Sequence, residues 1–163
     1  MTRHKDEQNK KTNAVRELEA AGVPFEFHTF ETDGSLSGVE VATLLGEDPD
    51  HVFKTLVTVG KSGEHYVFMI PVAQELDLKK AARAVGEKSI EMIHVKDITA
   101  VSGYVRGGCS PIGMKKQYPT VIQECAAQFD KVYVSGGRIG TTLCMAPEDL
   151  KKVSRAEYAD FIQ

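Results

Sequence analysis

The sequence has no tryptophan, only three cysteines, and aromatic residues at 7% of its 163 positions. No stretch approaches the roughly 18–20 consecutive apolar residues of a membrane helix. The first eleven residues, MTRHKDEQNKK, are charged throughout and lack the apolar core of a secretory signal. Cys109, Cys125 and Cys144 are odd in number and widely spaced, which fits neither a disulfide framework nor a paired-cysteine metal knuckle. These absences point to a reducing cytoplasm and no membrane partner. A net charge of −3 gives no overall attraction to nucleic acid, so any RNA contact relies on a local patch. Two basic groups qualify: Lys79, Lys80, Arg83 and Lys88, which also read as a solvated helix face, and Arg106, Lys115, Lys116 and Arg138.

What is present is a 42% apolar, 26% charged composition, ordinary for a globular chain of one-domain length. We divide it into a mobile charged extension at 1–10 and a single domain at 11–163. Helices are expected from Thr12 to a stop at Gly22, and over 37–46, where Ser37 and Glu40 form a capping box and Val41, Leu44 and Leu45 face inward. A third is expected from Asp77 to Gly86, and a short one from Asp97. Strands are expected at 23–30, 53–59, 65–71, 90–95, 119–124, 131–136 and 141–146, the second and third as a hairpin turning at GKSGE. A last helical stretch is expected from Pro147, carrying Leu150, Val153, Tyr158 and Phe161. Strands outnumber helices and often follow one another directly, so the class is α+β with a mixed, strongly curved sheet.

Two glycine clusters stand out: GYVRGGCSPIG at 103–113 and VSGGRIG at 134–140. Neither is a nucleotide loop. Cys109 stands where a phosphate-binding loop needs lysine, and Ser135 replaces the first glycine of a dinucleotide fingerprint that a helix, not a strand, would have to follow. Cys109 is a candidate nucleophile if one of five histidines lowers its pKa, and otherwise a small residue under a turn. His28, Glu31 and Asp33 are close in sequence, but alternation puts His28 and Glu31 on opposite strand faces, so no metal site is expected. Lys54, inside the apolar run VFKTLV, needs a reason: either an edge strand in water or a cation facing a cleft.

Taken in order, FEFHTFE, VFKTLV, QELDLKKAARAVG, Ser102-Gly103-Tyr104, GGCSPIG and VSGGRIG resemble the YbaK/EbsC family of free-standing aminoacyl-tRNA deacylases, relatives of the editing domain inserted in bacterial prolyl-tRNA synthetases. The resemblance runs from about Thr12 to Phe161. It implies a sheet curled into a partial barrel with helices around it, and a substrate that is the ester at the 3′ end of a mischarged tRNA. It implies removal of cysteine from proline tRNA, or from cysteine tRNA, with another small amino acid such as alanine as the alternative. A non-catalytic module that binds an aminoacyl or nucleotide end is the other alternative. The resemblance makes Lys54, Gly107 and Gly108 the catalytic residues, the glycines offering backbone N–H groups to the carbonyl oxygen. Phe30, Tyr104, Ser110, Pro111, Ser135, Gly136 and Thr142 are implied to bind substrate. It also implies no cofactor or metal, prolyl-tRNA synthetase as a companion, and attack by the substrate's own thiol. Phe30 and Thr142 depart from the family, which often has tyrosine and aspartate at these two places.

Overall fold

The structure, a computed structural model, describes residues 11–163; the expected extension at 1–10 lies outside the described residues. Helix α1 (Asn13–Ala21) starts where the Thr12 side chain accepts a hydrogen bond from the Val15 N–H, and stops at Gly22 with φ of 69°. In α2 (Gly38–Leu45) both halves of the capping box form. Asp77 caps α3 (Leu78–Val85) by accepting from the N–H groups of Lys79 and Lys80. Short α4 (Ile98–Ser102) and α5 (Pro147–Ser154) complete the helices.

The strands are β1 (Glu26–Thr29), β2 (Phe53–Gly60), β3 (His65–Pro71), β4 (Ile90–Met92), β5 (Thr120–Gln123), β6 (Val132–Ser135), β7 (Thr141–Met145) and β8 (Ala156–Ala159). They form two sheets, an antiparallel β1-β7-β6 and a mixed β4-β2-β3-β5-β8 in which β3, β5 and β8 run parallel. The architecture is the expected mixed α+β. An isolated parallel bridge, Val52 to Tyr133, joins one sheet to the other. Lys54 sits near the start of β2, opposite Ile70 of β3, while β4 pairs only with Thr58–Gly60 at the other end of the strand.

Alternation along β3 divides the core. Met69 joins Phe53, Ile122, Val134, Leu143, Leu18 and Leu150 between the two sheets and under α1 and α5. Phe68 and Ile70 point the other way, against Ala81 and Ala82 of α3 and against Phe161. Both faces of β3 are buried, as its unbroken apolar run requires.

Three expectations need correction. The strand at 90–95 ends at Met92, and Val95–Asp97 form a 3₁₀ turn. Leu44 does not face inward; it is 55% exposed, and Ala42 is the buried residue of α2. The C-terminal helix ends at Ser154. Arg155 takes φ of 56°, and Ala156–Ala159 become a strand paired with β5. Propensity lost there to the free edge of β5, whose ladder β8 completes.

Phe161 follows that strand, fully buried and edge-on to Phe68 with centroids 5.0 Å apart. Phe161→Ala is expected to cost about 3–5 kcal/mol of unfolding free energy, read from urea denaturation. A loss under about 1 kcal/mol would contradict the packing described.

Candidate active site

A cavity of about 240 Å³ opens where the start of β2 meets the end of β6 and the start of β7. Val52, Phe53, Lys54 and Thr55 form one wall, and Val134, Ser135, Thr141 and Thr142 the facing one. Phe30 and Gly140 close one end; Leu36, Gly38 and Val41, at the beginning of α2, close another with Val72. The first glycine loop contributes Gly107 and Cys109. Lys54 and the first glycine loop thus border the same hollow.

The loop's position follows from a backbone contact. A Cβ built on Gly108 would lie 2.8 Å from the carbonyl carbon of Arg138 and 2.9 Å from the nitrogen of Ile139, so the two glycine clusters touch main chain to main chain. Gly107 has φ of 88°, which turns the chain toward the cavity. The Gly108 N–H donates to Val105 O at 3.0 Å, so this amide is committed within its own turn.

Five of the residues implied by resemblance brace the cavity rather than line it. Gly108 is buried in the loop contact. Tyr104 is buried, its hydroxyl donates to Ile112 O at 2.7 Å, and its ring edge is 2.9 Å from where a Gly137 Cβ would stand. Ser110 is fully buried and accepts from Ile112 N–H, and Pro111 is buried beside it. The Gly136 carbonyl accepts from the Thr12 hydroxyl at 2.6 Å, tying the cap of α1 to the second loop. Lys54, Gly107, Phe30, Ser135 and Thr142 do border the cavity.

The polar groups on the walls differ in how far they are satisfied. Thr141 Oγ1 donates to Arg138 O at 2.6 Å, and Ser135 Oγ accepts from Gly137 N–H at 3.4 Å. Lys54 makes no ion pair or hydrogen bond among the described residues. Thr55 Oγ1 is sealed from solvent and has no hydrogen-bond partner among the described residues. Cys109 is half-buried, and burial is the main reason its thiol is pushed up to about 11, with Ser102 partly opposing. At neutral pH roughly one such thiol in ten thousand is ionised, which argues against it as the nucleophile. His28 is away from the cavity, its Nε2 3.1 Å from Glu26 Oε1.

The sequence reading missed the α2 wall and Thr55. Thr55 had a signal, since a hydroxyl next to Lys54 interrupts an apolar run on a strand bound for the core.

A family profile described as the aminoacyl-tRNA editing domain matches residues 35–153, which include both glycine clusters and Lys54. The chain belongs to this editing-domain family. A relative from Enterococcus faecalis, named as a candidate Cys-tRNA(Pro)/Cys-tRNA(Cys) deacylase, EbsC, is 45% identical over 157 residues, spanning 96% of each chain. A crystal structure described as a candidate trans-editing enzyme for prolyl-tRNA synthetase is similar at a TM-score of 0.83, with 24% identity over 95% of this chain and 99% of that one. A hypothetical protein has a TM-score of 0.85 at 22% identity, over 93% of this chain and 100% of its own. Both share the editing-domain fold.

The state of Cys109 is open to direct test. At pH 8, alkylation of Cys109 by iodoacetamide, followed by peptide mass spectrometry, should be at least about 100-fold slower than that of free cysteine. Labelling at the free-cysteine rate would mean an activated thiolate.

Proposed function

We propose that this protein removes wrongly attached cysteine from proline tRNA, with residues 11–163 acting as one editing domain. One observation carries the reading: Lys54, whose ammonium is unpaired among the described residues, borders the same small cavity as the positive-φ turn at Gly107. At about 240 Å³ the cavity lies below the roughly 300–1,000 Å³ of drug-sized sites. It suits an aminoacyl group, with the adenosine outside.

In the reaction, the sulfur of the bound cysteine bonds to its own carbonyl carbon, and negative charge gathers on the carbonyl oxygen. The bond to the ribose oxygen then breaks, the thiol proton ends on that oxygen, and a cyclic thioester leaves uncharged tRNA behind. Attack is intramolecular, so orientation supplies much of the acceleration. The backbone N–H groups of Gly107 and Cys109, which find no acceptor among the described residues, are the donors for the oxyanion in place of the committed Gly108. Lys54 holds the ribose–phosphate side of the ester. Cys109, with its proton retained, is wall and not reagent.

The tRNA body is held lightly, in keeping with the net charge of −3. Prolyl-tRNA synthetase is the proposed companion that presents the tRNA, and the cytoplasm the proposed compartment. Among the described residues no helix is long and apolar enough to cross a membrane.

Deacylation of cysteinyl- and alanyl-tRNA of the proline type tests this. Lys54→Ala should lower the rate on the cysteinyl ester by about 100-fold or more, Cys109→Val should stay within a few-fold of wild type, and the released product should be the cyclic thioester. Activity kept by Lys54→Ala but lost by Cys109→Val would sink the proposal, and preferential release of alanine would reassign the substrate.

A further inference from the structure

Thr55 Oγ1 is the buried side-chain polar atom left without a hydrogen bond among the described residues, and Thr55 borders the cavity. A buried hydroxyl without a partner is a standing cost to the free protein. Valine has the same shape, belongs equally well in a strand and carries no such cost. A hydroxyl retained at that price in the wall of a binding cavity is explained if its partner arrives with the ligand.

The chemistry of the walls says which ligand group that is. An aminoacyl ester brings a carbonyl oxygen, which needs donors, and an α-amino group, which needs an acceptor. Lys54 can only donate. Ser135 Oγ already accepts from Gly137 N–H. Among the described residues no aspartate, glutamate or histidine borders the cavity. Among the hydroxyls of the cavity wall, Thr141 Oγ1 is engaged with Arg138 O, and Thr55 Oγ1 is the one both sealed from solvent and without a hydrogen bond among the described residues, so both its lone pairs are unused.

We infer that the Thr55 hydroxyl receives the α-amino group of the aminoacyl ester, making Thr55 a substrate-positioning residue of the site; this rests on the reading given under Proposed function. In the free protein the hydroxyl is closed to water, so the inference includes a turn of the Thr55 side chain between staggered rotamers when the ligand binds. Holding the amine fixes Cα of the bound amino acid, and so fixes the direction from which its side chain meets the carbonyl.

The test uses the full chain and two non-hydrolysable ligands, 3′-deoxyadenosine carrying a 3′-amide-linked cysteinyl group and its counterpart carrying a 3-mercaptopropionyl group, which keeps the thiol and lacks the amine. Calorimetry on wild type, Thr55→Val and Thr55→Ser reads the affinities. Thr55→Val should weaken the cysteinyl ligand by about tenfold and leave the desamino ligand unchanged, while Thr55→Ser keeps most of the cysteinyl affinity. Thr55→Val should also raise the thermal midpoint by about 2–4 °C, since it removes the orphaned group. A purely structural role predicts a change in midpoint with no difference between ligands. Equal affinity of wild type and Thr55→Val for the cysteinyl ligand, or equal loss for both ligands, would overturn the assignment while leaving deacylation intact. Wild type that binds neither ligand and releases no cysteine would instead overturn the proposed function, and this inference with it.

Discussion

Gly108 lies against the main chain of Arg138 and Ile139 with no room for a side-chain carbon, and the site depends on that approach. It brings the loop after α4 onto the turn between β6 and β7, two segments about thirty residues apart in sequence. Around it the structure is braced without entering the cavity. Tyr104 spans from Ile112 to Gly137, and Thr12 bonds the Gly136 carbonyl from the cap of α1. Such a contact has no tolerance, because backbone cannot shrink or rotate away as a side chain can. The cavity's shape is therefore fixed before any ligand enters.

Against this rigid side stands the start of β2, where the chemistry is concentrated. Phe53 belongs to the core between the sheets, and the next two residues carry an ammonium and a hydroxyl that are unpaired among the described residues. A folding criterion alone would have filled both positions with apolar residues. Their polarity marks where stability gives way to binding. The family to which the chain belongs handles aminoacyl-tRNA, and that is a setting in which a cation and a hydroxyl beside glycine-borne amides have work to do.

The local elements were mostly legible because each carried its own punctuation. Thr12 and Gly22, Ser37 with Glu40, and Asp77 with Gly86 mark helix ends by short-range hydrogen bonds that sequence alone encodes. The failures have a common origin in distant partners. Residues 156–159 read as a helical continuation because the reason for a strand, the open edge of β5, lies more than thirty positions away. Leu44 looked internal by periodicity, yet nothing packs over that face of α2. Gly108, Tyr104, Ser110, Pro111 and Gly136 stand behind the cavity while Lys54, Gly107, Phe30, Ser135 and Thr142 border it, and whether a residue near a loop faces the hollow or supports it from behind is a matter of three-dimensional register that spacing does not carry.

The composition of the cavity wall has one more consequence. Among the described residues it holds neither imidazole nor carboxylate, and the thiol of Cys109 is pushed up to about 11 by burial. Between mildly acidic and mildly alkaline conditions these side chains thus offer no ionisation of their own to gate turnover. In the proposed reaction, any acidity dependence in that range comes from the cysteinyl ester, whose amine and sulfhydryl do titrate there. On the proposed function, the scaffold supplies a constant environment and the substrate brings its own trigger.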